Sequence, residues 1–107
     1  MPFVRRPFST YFSHNVGARF LTVYVFVDAG HRRGDTPRIR YERARQYLRD
    51  GRFFRVSSGP NAHSSREISV EVRVIEGAVD FRGAARQLAI NELTYIIEDI
   101  DSGRRHA

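Results

Sequence analysis

The run FLTVYVFV at Phe20–Val27 constrains this chain more than any other segment, because it leaves no wet face. Nearly all of its residues are β-branched or aromatic, the composition of a strand. Its two alternating sets, Phe20, Thr22, Tyr24, Phe26 and Leu21, Val23, Val25, Val27, are both mainly apolar. A strand of this kind needs cover on both sides and belongs in the middle of a sheet. At eight residues the run is far short of the roughly 20 that cross a bilayer. Read as a leader, it is separated from Arg5 and Arg6 by polar Ser13, His14 and Asn15, and Val27-Asp28-Ala29 makes a poor cleavage site.

The remaining elements follow from periodicity and punctuation. After the Gly-rich loop DAGHRRGDTP, Asp35 or Thr36 can cap a helix opened by Pro37. Tyr41, Ala44, Tyr47 and Leu48 line one face of that helix, and Gly51 suits its C-terminal stop. RFFRVS at 52–57 reads as a short strand. In ISVEVRVI, Ile68, Val70, Val72 and Val74 alternate with Ser69, Glu71 and Arg73, so one face is core and the other wet. With the GPNAHSSR loop between them, the two strands are expected to form an antiparallel hairpin. Asp80 is placed to cap a long final helix to Asp101, with the stripe Phe81, Ala84, Ala85, Leu88, Ala89, Leu93, Ile96, Ile97 and Ile100.

The expected fold is therefore α+β, a single domain over 20–101 in which two helices pack on one face of an antiparallel sheet of about three strands. The element order is strand, helix, strand, strand, helix. Residues 1–19 form a basic, aromatic arm with Pro2 and Pro7, and residues 102–107 a loose tail.

Charge directs the functional reading. All 18 basic residues are arginine, the net charge is +6, and cysteine is absent. Residues 1–66 hold 13 arginines against 4 acids, whereas residues 67–107 hold 5 against 8. The basic half should be drawn to polyanions, and arginine forks suit phosphates. Acids at Glu98, Asp99 and Asp101 oppose the dipole of the last helix, with Arg104 and Arg105 the nearest compensating charges.

From Arg38 onward the order of elements resembles the double-stranded RNA-binding domain, which runs helix, three strands, helix. Gly59-Pro60-Asn61-Ala62-His63 before Val70-Glu71-Val72 is similar to the family's Gly-Pro-x-His loop and Val-Glu-Val strand, with one residue more in the loop. The resemblance implies that His63 enters an RNA minor groove, that Glu42 or Gln46 of the first helix meets a ribose hydroxyl, and that the final helix grips phosphates. The family's Lys-Lys-x-Ala-Lys segment falls on Arg82-Gly83-Ala84-Ala85-Arg86, keeping two of three cations. The stretch from Val74 to Arg82 is too short for the family's third strand, and Phe20–Val27 is an extra strand that can take a place in the sheet.

The reading is thus a non-enzymatic nucleic-acid-binding protein, for RNA ahead of DNA, located in the cytoplasm and needing no cofactor. Its candidate contacts are Arg38, Glu42, Arg45, Gln46, Arg49, His63, Arg66, Arg82 and Arg86. The alternative is a structural protein, a virion, connector or ribosome-associated subunit, that forms homo-oligomers through its arm and an exposed strand edge. The histidines are scattered; Asp28, His31 and Asp35 share a loop but lack zinc spacing, and Ser64 and Ser65 beside His63 lack a nucleophile elbow.

Overall fold

The computed structural model describes residues 19–52, 54–59 and 61–105, so the expected arm lies outside the described residues except for Arg19. Five elements follow in the expected order: β1 (Phe20–Asp28), α1 (Pro37–Arg49), β2 (Phe54–Ser57), β3 (Glu67–Ile75) and α2 (Phe81–Asp101). They form an α+β fold with a three-stranded antiparallel sheet of order β2-β1-β3.

As its two apolar faces require, β1 is the central strand. Its Val23, Val25 and Val27 are fully buried and face the helices together with Ile68, Val70, Val72 and Val74 of β3. The register sets Val25 beside Val70 on one side and Val56 on the other, so one valine face runs across the sheet. Ala44 and Leu48 of α1 and Ala84, Ala85, Leu88, Ala89 and Leu93 of α2 close this core. Small alanines let α2 approach the sheet closely, and burial of this apolar face is the main source of stability.

The expected β2-β3 hairpin does not form. Both strands pair with β1 instead, one on each edge, and therefore run parallel to each other. Because β1 demands a neighbour on each side, the connection must cross it. Ser57 ends β2 beside Tyr24, while Glu67 starts β3 beside Asp28, so the chain returns diagonally over the sheet. Two interstrand spacings of ~4.8 Å and a shift of four residues amount to roughly 17 Å, well within the reach of the nine residues 58–66 at ~3.3 Å each.

This crossover runs over the face opposite the helices. The His63 ring lies 5.5 Å from the Phe26 ring, centroid to centroid, and Phe26 is 1% exposed although it points away from the helical layer. Arg55 of β2 holds the strap down: its guanidinium carbon sits 4.0 Å above the Phe26 ring, and its Nη2 donates to the Ala62 carbonyl at 3.4 Å and to Glu67 at 3.2 Å.

The caps agree with local chemistry. Thr36, not Asp35, caps α1, accepting from the Ile39 N–H at 3.2 Å, and Asp80 caps α2, accepting from the Gly83 N–H at 2.7 Å. After β3 the chain turns through Gly77 at φ 87° and enters α2 with no strand between. Ser102–Arg105, expected as tail, instead close α2. The Ser102 N–H donates to the Glu98 carbonyl, and those of Arg104 and Arg105 to the Asp99 carbonyl.

Candidate functional site

The two helices run antiparallel and are laced along their seam by arginines. Arg38 at the start of α1 grips Asp101 at the end of α2, with Nε to Oδ1 at 2.6 Å and Nη2 to Oδ2 at 3.1 Å, and also donates to Glu42 at 3.2 Å. Midway, Arg45 donates to the Thr94 hydroxyl at 3.2 Å. At the far end Arg86 donates to the Leu48 carbonyl at 2.9 Å, joining the Gly51 N–H that the same carbonyl accepts at 3.0 Å, so that α2 is tied to the C-terminus of α1. Arg82 lies over the Phe54 ring, 4.3 Å from its centroid, and donates to the Phe54 carbonyl at 2.8 Å. Gln46 donates to Asp50 at 3.0 Å.

Most of the candidate contacts named from the sequence are therefore occupied inside the molecule. Six of them belong to the helical layer and the β2 edge, where Arg38, Arg45, Arg82 and Arg86 join elements while Glu42 and Gln46 are paired within α1 and its C-cap. His63 sits over Phe26 on the opposite face of the sheet, so it does not share a surface with Arg38 and Arg86. Gly83 stands where the resemblance needs a cation, and a Cβ there would run into the Asp80 carboxylate that caps the helix. Arg49 is exposed with no side-chain partner among the described residues, and Arg66 is exposed with only a 3.8 Å contact to Asp28.

Charge collects instead where β1 ends and β3 begins. There the 29–36 loop and the 61–66 segment lie side by side, joined by the Ala29 N–H donating to the Arg66 carbonyl at 3.1 Å. Arg40 of α1 ties both together, with Nε donating to the Gly30 carbonyl and Nη2 to the Ser65 carbonyl, each at 2.9 Å. A second clamp fixes the loop from within. Arg43 forms a two-pronged pair with Asp35 at 2.8 and 2.9 Å and donates also to the Ala29 carbonyl at 3.0 Å. Asp35 in turn accepts the Arg32 backbone N–H at 2.7 Å. The Arg43 guanidinium, aided by that N–H, holds the Asp35 carboxyl well below the ordinary carboxylate range. Gly30 and Gly34 supply the positive φ values, 68° and 86°, that the loop requires.

The outcome is a platform in which the Ala29, Gly30 and Ser65 carbonyls are held by Arg43 and Arg40 and the Arg66 carbonyl by the Ala29 N–H. His31, Arg32 and Arg33 project from it into solvent, and Arg66 stands on the neighbouring segment. Arg32 and Arg33 have no side-chain partner among the described residues. These two were missed as site residues from sequence, although two adjacent arginines framed by Gly30 and Gly34 in GHRRGD were the signal available. Among the described residues no three His, Asp or Glu side chains gather as a metal site, and no helix is long and apolar enough to cross a membrane.

Comparison of the chain with protein-family models, with curated proteins and with solved structures finds no match in any of the three.

Proposed function

We propose that this protein binds nucleic acid without catalysis, holding phosphates at the loop end of its sheet through Arg32, Arg33 and Arg66. The observation that carries this reading is the Arg40 bridge, which joins two adjacent segments while Arg32 and Arg33 have no side-chain partner among the described residues and Arg66 has only a 3.8 Å contact to Asp28. A cation already paired to a carboxylate must break that pair to meet a phosphate, whereas Arg32 and Arg33 need not. Fixed loops also reduce the ordering cost of binding. The net charge of +6 adds long-range attraction.

The reading keeps the phosphate chemistry that the sequence suggests and moves it from the helix faces to the loop end. Contacts of this type position a protein on a backbone and carry no base sequence. The expected ligand is an RNA duplex or structured RNA, with duplex DNA as the comparison. In fluorescence anisotropy at low salt, a 16-base-pair RNA duplex is bound, and Arg32→Ala/Arg33→Ala weakens it far more than Arg38→Ala. No binding at low salt, or equal losses from the two variants, would refute the proposal.

A further inference from the structure

The two edges of the sheet are finished differently. The β2 edge is four residues long, and Arg82 lies across it, donating to the Phe54 carbonyl. The β3 edge runs nine residues, Glu67–Ile75, and among the described residues pairs only with β1. The direction of its backbone groups follows from its ends. The Ala29 N–H donates to the Arg66 carbonyl, and the Glu76 N–H donates to the Arg19 carbonyl at 2.7 Å. Even-numbered residues thus turn toward β1. Ser69, Glu71 and Arg73 turn their amides and carbonyls outward, a template for one more strand, whereas the outward Ile75 carbonyl accepts the Ala78 N–H at 3.1 Å.

The side chains add a specific code. Glu71 and Arg73 are exposed on the wet face, opposite Tyr24 and Thr22, and neither forms an ion pair among the described residues. We propose that β3 pairs antiparallel with β3 of a second copy, with Val72 on the two-fold axis. In that register Glu71 lies opposite Arg73 of the second copy, and Arg73 opposite its Glu71. Both are hydrogen-bonded positions, as the outward backbone requires. On the other face Val70 meets Val74 and Val72 meets Val72, so the valine layer continues across the seam.

Neighbouring registers are worse. A centre at Glu71 sets that carboxylate against itself, and a centre at Arg73 does the same with guanidinium groups. A centre at Val70 offers Arg73 only Glu67, which Arg55 already holds at 3.2 Å. The dimer would be a six-stranded sheet with its two basic loop ends ~34 Å apart along the strands, taking ~3.4 Å per residue. It goes beyond the phosphate-binding reading and is tested without nucleic acid.

The test is sedimentation equilibrium of the full chain. The wild type is expected as a dimer. Glu71→Arg and Arg73→Glu each turn two attractive cross-strand pairs into repulsive ones and should weaken dimerisation about tenfold or more. An equimolar mixture of these two variants should dimerise again, as should Glu71→Arg/Arg73→Glu. Arg73→Pro removes an outward N–H without touching the β1 ladder, so it should give a folded monomer that still melts cooperatively, at a temperature below the dimer's and independent of protein concentration. A wild type that stays monomeric overturns the proposal, including one whose Ser69, Glu71 and Arg73 amides resist hydrogen exchange because another segment covers the edge. A dimer indifferent to all these substitutions overturns it equally.

Discussion

Removing the Arg40 side chain should both destabilise the protein and weaken its binding, although Arg40 itself is not among the proposed phosphate contacts. The guanidinium makes two hydrogen bonds to backbone carbonyls, that to Gly30 partly buried and that to Ser65 exposed. A bond from a charged donor is worth roughly 1.5–3 kcal/mol, and exposure reduces it. Taking about 1.5 kcal/mol for the Gly30 bond and about 0.5 for the Ser65 bond, Arg40→Ala should cost ~2 kcal/mol. For a domain of this size that lowers the melting temperature by roughly 8–16 °C. Arg40→Lys keeps one donor direction and should recover about half. Circular dichroism melts supply the stability, and hydrogen exchange should show faster opening at residues 29–34 and 63–66 while the α2 amides change only in step with global stability. If Arg40→Ala stays within about 0.5 kcal/mol of wild type and leaves exchange in both loops unchanged, Arg40 is not a clamp and the two segments are not held together by it.

Three further outcomes follow from the same contacts. Phe26→Ala should cost about 3–5 kcal/mol in denaturant unfolding, as a buried core ring does, because the crossover strap roofs it; a loss below 1 kcal/mol would show that this sheet face is wet. Acid should weaken the protein through Asp35. A carboxylate whose folded value is depressed adds stability that is present above its unfolded value near ~4 and is lost as pH falls through the folded one. Asp35→Asn should therefore flatten the decline of stability below about pH 4, and a decline equal to wild type would remove Asp35 from that role. Asp80→Ala should cost about 1 kcal/mol by loss of the α2 cap, measured by the same melts; no change would mean that the cap is dispensable.

The sequence was informative wherever a residue's own chemistry decides its place. The two-faced apolar run of β1 forced it to the centre, and the alternation of β3 marked which of its faces is wet. Asp80 announced the start of α2. Pairing between strands was not legible in the same way. Nine residues can turn back as a hairpin or cross a strand, and the choice rests on the need of β1 for two neighbours rather than on anything within GPNAHSSR.

The arginines show a similar divide. Their number and bias to the first 66 residues are plain from sequence, but the partners of Arg40, Arg82 and Arg86 are backbone carbonyls, which no residue type marks. Asp35 was read as a possible cap, yet Arg43 claims its carboxylate and leaves Thr36 to cap α1. Of the compensating charges near the end of α2, Arg104 reaches Asp99 at 2.9 Å, while Asp101 is met by Arg38 from the other helix. Glu92 is 7% exposed outside the apolar stripe of α2, so that helix is covered over a wider arc than its hydrophobic pattern implies.

The proposed phosphate contacts of Arg32, Arg33 and Arg66 can be counted from the salt dependence of binding to a B-form DNA duplex. Each phosphate neutralised contributes about −0.9 to the slope of log affinity against log salt. Three contacts give a slope near −2.7, a loss of about 40-fold between 50 and 200 mM salt. Arg32→Ala/Arg33→Ala should reduce the slope to about −0.9; a variant that keeps the wild-type slope would mean that these two arginines touch no phosphate.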